Sequence, residues 1–280
     1  MIKLSNGHEF LFMAASGALG YDGKGWPWEK PLCWIGVIRP KLFTVVTKTI
    51  TFDPCKGNHP LQAVRFIKGG VINALGLGNP GVKKLIPMIE NTKLDLIVSI
   101  AGNPFELIPM INELNKLNIR GIELNVSCPN TSEDITAPKF IDRIKGRCEC
   151  AKYHSKHPLI LKLSPAQKYL TIARVIENIG IQAITINSVP WDYLYPDQES
   201  PLKEFGGGGV SGKTIQENTW EMVYGLSQEV SIPVIGSSVW EYEDIFELLG
   251  LGAQGISFGS IFLKRPYDPT RFVTRYNRQQ

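Results

Sequence analysis

The sequence predicts a single α/β domain folded as a (β/α)8 TIM barrel, and three observations carry that prediction. Eight short, nearly continuous apolar runs recur along the 280 residues, as strands buried on both faces of a parallel sheet require. Segments of helical period lie between several of them, which makes right-handed strand–helix–strand crossovers the simplest connection. The length agrees, because such barrels run to about 250 residues as one domain. A doubly wound open sheet is the alternative architecture.

The runs lie at 11–16, 42–47, 94–100, 121–126, 159–163, 183–187, 233–236 and 255–259, and most end in glycine or a small polar residue. Helical spacing is clearest at 104–117 (Leu107, Ile108, Met110, Ile111, Leu114, Leu117), at 170–179 (Ile172, Ala173, Val175, Ile176) and at 243–251 (Ile245, Phe246, Leu248, Leu249). The glycine-dense stretch 205–212 reads as a loop, and no linker divides the chain, so residues 1–280 are expected to form one domain. The chain stops soon after Arg271-Phe272-Val273, which predicts a last helix that is short or missing.

Composition excludes several classes of protein. With 43% hydrophobic and 20% charged residues the chain is neither disordered, collagen-like nor a coiled coil. No apolar stretch approaches the ~18 residues of a spanning helix, and residues 1–8 lack the apolar core of a signal peptide. No membrane association is expected. Thirty Lys and Arg against 26 Asp and Glu leave +4, a balance that does not demand nucleic acid. Five cysteines, at 33, 55, 128, 148 and 150, do not make a disulfide framework, so a reducing cytoplasm is the expected compartment. Cys148-x-Cys150 has no second pair, and no metal site is predicted.

In a barrel the strand C-termini build the site. Here those ends carry Ser16-Gly17, Lys48-Thr49, Ser99, Asn125-Ser127-Cys128, Lys162, Asn187-Ser188, Gly236-Ser237 and Gly259-Ser260. The most informative segment is Glu123-Leu124-Asn125-Val126-Ser127-Cys128-Pro129-Asn130. Its strand delivers Asn125, whose amide both donates and accepts and so suits a planar heterocycle. The loop thiol of Cys128 is either a tuned base or nucleophile, or a free cysteine packed into a turn. No histidine is placed by sequence to pair with it. Lys162 stands inside an apolar strand, so it either faces an anionic partner or snorkels from an edge. Lys48 is a second such lysine, and two aimed at one pocket would stabilise negative charge there. The late glycines at 209, 212, 236 and 259 suit a phosphate cradle. Neither a P-loop nor a dinucleotide G-x-G-x-x-G fingerprint is present.

With these motifs the chain resembles the dihydroorotate dehydrogenases, FMN-containing (β/α)8 flavoproteins of pyrimidine biosynthesis. The resemblance runs from about Ala15 to Phe262. It rests on Ala15-Ser16-Gly17, Thr47-Lys48-Thr49-Ile50-Thr51, Asn73-Ala74-Leu75-Gly76-Leu77, Asn79-Pro80-Gly81, the 123–130 segment, Leu161-Lys162-Leu163, Ile186-Asn187-Ser188 and Gly209-Val210-Ser211-Gly212. It implies that Cys128 is the catalytic base of the soluble class, the membrane-associated class carrying serine there. It implies that Asn73, Gly76, Leu77, Asn125, Asn130, Asn187 and Ser188 hold the pyrimidine. It assigns FMN contacts to Ala15, Ser16, Gly17, Lys48, Thr49, Asn125, Lys162, Gly212, Gly236, Ser237, Gly259 and Ser260. The implied reaction oxidises (S)-dihydroorotate to orotate: Cys128 removes the C5 proton, C6 passes hydride to flavin N5, and Lys48 and Lys162 stabilise the reduced ring. The wording at 73–81 is similar to the subgroup that works with an iron–sulfur/FAD subunit and NAD. A homodimer is also expected, and nucleic acid is not an expected partner.

Three departures from the family pattern stand out. Ser237-Ser238 replace the paired glycines that normally follow the seventh strand. Trp26-Pro27-Trp28 and the 191–195 loop lie where a substrate lid is expected, and the C-terminus is short. These leave two alternatives: a related FMN barrel that reduces another base or enone, including uracil in RNA, or a non-catalytic barrel that has lost its phosphate grip.

Overall fold

A computed structural model describes residues 1–127 and 138–280. Its eight core strands are β1 (Phe12–Ala14), β2 (Thr44–Val46), β3 (Leu96–Ile100), β4 (Gly121–Asn125), β5 (Leu159–Leu163), β6 (Ala183–Ile186), β7 (Val234–Gly236) and β8 (Gly255–Phe258). Each pairs in parallel with the next in sequence, and β8 pairs with β1, so the sheet closes into a barrel. All eight apolar runs of the sequence supply one strand each, and the open-sheet alternative is excluded by the closure.

The strand periodicity of two divides the core. Val45, Val98, Ile122, Leu124, Leu161, Ile184 and Ile256 belong to the large cluster between barrel and helices. Met13, Val46, Ile97, Ile160, Ala183 and Ile235 form a second cluster inside the barrel, joined by Ile2, Leu4 and Phe10. The last three come from the N-terminal hairpin, Ile2–Lys3 with Glu9–Phe10, which plugs the bottom of the barrel. With its floor sealed by apolar side chains, the barrel is open to polar chemistry only at the other end.

The helices follow local signals. Pro104–Leu114 starts at Asn103, whose Oδ1 accepts the Phe105 and Glu106 N–H groups while Glu106 accepts the Asn103 N–H. Two expectations are corrected. The last helix is neither short nor missing: Asp268–Gln279 runs 12 residues, started by Pro269 and an acidic first turn, and it buries Phe272 and Val273. The glycine-dense stretch is not all loop either. Gly209–Gly212 is the strand of a small antiparallel sheet, ordered Val189–Pro190, Gly209–Gly212, Gly70–Asn73, Val64–Ile67. The pairing partner is more than 130 residues away in sequence, so local composition could not show it. One face of this sheet packs Ile72 and Val210 on Ala63, Val189, Trp191 and Leu202. The other, with Val71, Asn73 and Ser211, looks into the barrel mouth. Among the described residues, no helix is long and apolar enough to cross a membrane.

Candidate active site

Along the inward-facing positions the residue type changes from apolar to polar toward the strand C-termini: Val46 to Lys48, Ile97 to Ser99, Ile160 to Lys162, Ala183 to Thr185 to Asn187, Ile235 to Ser237. These polar ends, roofed by the small sheet, enclose a cavity of about 970 Å³. That volume lies at the upper end of the range for small-molecule and cofactor sites, about 300–1,000 Å³.

At its floor lies a buried carboxylate that the sequence reading passed over. Glu123 is 1% exposed. Its Oε1 accepts the Ser99 hydroxyl at 2.8 Å and its Oε2 accepts the Thr185 hydroxyl at 2.9 Å. The Lys162 ammonium lies 3.9 Å from Oε1. Lys162 therefore points into the barrel and does not snorkel from an edge. Strand register puts it there, since it sits opposite Asn125 on one side and Thr185 on the other. An ionised carboxylate only accepts, so it orients the hydroxyls around it. Ser99 donates to Glu123 and so takes the proton of Thr49, 2.9 Å away. Thr49 in turn accepts the Asn125 Nδ2 at 3.0 Å. Asn125 Oδ1 is held by the Ser127 N–H and hydroxyl, both at 3.2 Å. Ser16 joins through Thr49 and the Thr47 carbonyl. A single acceptor thus fixes a polar layer contributed by strands β3 to β6 and the segment following β2. The signal for Glu123 was present: a charge inside an apolar strand, the reason Lys162 was singled out.

The remaining amides sit above that floor. Asn73 lines the cavity from the small sheet, its Nδ2 3.5 Å from the Gly209 carbonyl. Asn187 spends its Nδ2 on the Ser127 carbonyl and hydroxyl, each at 3.0 Å, and so anchors the segment that leads to Cys128. Ser188 adjoins it, with its own carbonyl tied by Ser164. Gly76 and Leu77 line the cavity on a loop clamped by Asn79, Asn58 and the Tyr21 hydroxyl. The Lys48 Nζ reaches the Gly76 carbonyl at 3.4 Å. Cys128 and Asn130 lie outside the described residues.

The late loops answer the question raised by Ser237-Ser238. Ser238 is the one non-glycine residue with positive φ among those described, at 67°. It adopts the left-handed conformation that glycine would supply, at a strain of roughly 1–2 kcal/mol. The Ser237 and Ser238 carbonyls are drawn away by the Trp220 and Gln216 side chains. The Ser238 and Val239 N–H groups meet no acceptor among the described residues, and both residues line the cavity beside Gly259 and Ser260. Successive peptide N–H groups around a left-handed residue form an anion-binding nest. Gly212 is required for a different reason: a Cβ there would lie 2.7 Å from the Gly69 carbonyl oxygen. Ala15, Gly17 and Gly212 also line the cavity, whereas the missing Cβ of Gly236 points at Leu248, away from it.

Of the two aromatic segments, only one borders the site. Trp26 and Trp28 stack at 5.5 Å on the cavity wall, and the Trp26 indole N–H donates to the Gly17 carbonyl at 2.8 Å. Trp191 is instead packed into the core of the small sheet, with Tyr195 at 4.5 Å, so the 191–195 loop is no lid. Beneath Trp26, Glu29 is buried and, among the described residues, accepts only the Trp26 N–H. Burial pushes its pKa up to about 7, and the peptide hydrogen bond offsets only part of that. A carboxyl with a raised folded pKa holds its proton longer when folded, so stability falls as pH rises from about 4.5 through about 7. Glu29→Gln keeps an acceptor for Trp26 without titrating. Melting curves from pH 5 to 8 should fall less steeply for it than for the parent, and parallel curves would count against this account.

Residues 36–274 match the dihydroorotate dehydrogenase family. Curated relatives named dihydroorotate dehydrogenase B (NAD(+)), catalytic subunit, from Bacillus cereus strain AH187 and Bacillus anthracis strain CDC 684, are each 32% identical over 239 residues. That alignment covers 81% of this chain and 76% of theirs. The closed barrel with a polar cavity at its strand C-termini is the architecture of a (β/α)8 barrel enzyme. The chain belongs to the dihydroorotate dehydrogenase family and is an oxidoreductase.

Proposed function

We propose that this chain is the catalytic barrel of a dihydroorotate-oxidising flavoenzyme that binds FMN. The observation that carries this reading is the convergence of Lys48, Asn73, Asn125, Lys162 and Asn187 on one cavity. The donor set fits the cofactor. The nest at Ser237-Ser238 with Gly259-Ser260 suits a phosphate, Ala15 to Gly17 line the wall, and Thr49, Asn125 and Lys162 offer polar edges to a ring. When bound, FMN supplies a two-electron acceptor for hydride.

Oxidation of dihydroorotate to orotate removes two protons and two electrons, one proton from C5 and a hydride from C6. In this reading Cys128 takes the C5 proton, and Asn73, Asn125, Asn130 and Asn187 orient the ring so that both bonds break in one geometry. Lys48 and Lys162 place positive charge where negative charge develops. Glu123 and its hydroxyls hold the Lys162 ammonium on target. The relatives are named as catalytic subunits linked to NAD(+). An electron-transfer subunit carrying iron–sulfur and FAD groups is therefore the proposed reoxidant, and a homodimer the proposed assembly.

The test is an absorption spectrum of the purified protein followed by anaerobic addition of dihydroorotate. Bleaching of the flavin bands is expected. Flavin that stays oxidised in a folded, loaded protein would overturn the substrate assignment, and a colourless protein that takes up no FMN would overturn the cofactor.

A further inference from the structure

A second concave site shares no lining residue with the catalytic cavity. It is an open groove of about 520 Å³ between the last helix and the segment around Arg39. Four of its lining residues are arginines, Arg39, Arg271, Arg275 and Arg278, and none is acidic. Four positive charges equal the net excess of the whole chain.

Helix geometry accounts for part of this. Positions 271, 275 and 278 follow the i, i+4, i+7 stripe and share one face, opposite buried Phe272 and Val273. A helix C-terminus favours cations in its last turn, which suits Arg278 at the end of this helix. Arg39 is not explained that way. It arrives from a separate segment, pinned by its own N–H on the Thr270 hydroxyl at 3.0 Å, with its Nε turned to the Gly36 carbonyl at 3.1 Å. Neutralisation within the protein is incomplete. Arg271 pairs with buried Asp268 at 2.9 Å, and Asp268 also serves Arg265. Arg275 lies over the Tyr242 ring and 3.9 Å from exposed Glu243, a contact of little worth in water. Arg39 and Arg278 form no ion pair among the described residues. Like charges at i, i+4 cost a helix stability. An external anion in the groove would turn that cost into gain.

We propose that this groove is a binding site for an oligophosphate, such as the phosphate chain of a nucleotide. Guanidinium forks match phosphate oxygens in paired hydrogen bonds. The groove's size is that of a small-ligand site, and the half-exposed Tyr267 ring at its edge gives a base a surface to stack on. The proposal is independent of the reaction assigned to the barrel.

The experiment is calorimetric titration of tripolyphosphate, UTP and ATP into the FMN-loaded protein, so that the catalytic phosphate cradle is occupied. The parent should bind tripolyphosphate with a dissociation constant of about 10–100 µM at low salt. The double variant Arg39→Gln/Arg278→Gln should weaken binding at least about tenfold while flavin content and thermal midpoint stay unchanged. Tighter binding of UTP and ATP than of tripolyphosphate, lost in Tyr267→Ala, would identify nucleotides as the source of the phosphate. Equal affinities for all three would identify the phosphate chain alone. The proposal is overturned if tripolyphosphate does not bind at about 5 mM, if the double variant binds as well as the parent, or if only single-stranded RNA binds.

Discussion

Cys128→Ala should lower turnover with dihydroorotate by roughly 10²-fold or more while FMN remains bound, the scale usual for loss of a positioned base. In the proposed reaction a proton leaves a carbon adjacent to a carbonyl, and Cys128 is the residue proposed to take it. Its neighbour Ser127 is held through both its carbonyl and its hydroxyl by the Asn187 amide. Those bonds fix the chain at Ser127, the last described residue before Cys128. Cys128→Ser, with a hydroxyl of much higher pKa, should be nearly as slow as alanine at neutral pH. Stopped-flow reduction of the flavin, which isolates the first half-reaction, is the measurement. An alanine variant that reduces flavin at the parent rate would remove Cys128 from the chemistry.

Glu123→Ala should be the most damaging single change to stability among the site residues. It leaves the Ser99 and Thr185 hydroxyls without their acceptor and the Lys162 ammonium without its counter-charge. Removing one partner of a buried pair costs about 3–5 kcal/mol. For a chain of this size that corresponds to roughly 6–12 °C in Tm. Glu123→Gln keeps the shape and one acceptor oxygen, so its loss should be smaller. It should still weaken FMN binding, because Lys162 loses the charge that holds it. Circular dichroism melts of the three proteins, with flavin dissociation measured beside them, separate the two effects. An alanine variant melting within about 2 °C of the parent would show that Lys162 and the hydroxyls do not depend on Glu123.

The barrel itself was legible because its signal is local. Each strand lies within an apolar run of four to seven residues closed by a turn residue, and each such run holds one barrel strand. The same period of two also carried the location of the site, since inward positions such as Ile160 and Lys162, or Ala183 and Thr185, change character within one strand. Lys162 stands out in the sequence as a charge in an apolar strand, whereas Glu123 is hidden within the adjoining motif. The two are partners through register, which no single strand contains.

The sequence by itself determined the strand content, the inward polar residues and, through the motif around Asn125, the family. Those properties depend on side-chain identity and on spacings of two to four residues. Only the tertiary structure decided the rest. Gly209–Gly212 is a strand because Gly70–Asn73 lies beside it, and Ser238 serves as a glycine because the surrounding loop holds its backbone there. Trp191 is core and Trp26 is cavity wall. Arg39 meets Arg278 across 239 positions of chain. In each of these cases the deciding contact is non-local, and burial, register and charge density are properties of the packed chain rather than of any segment of it.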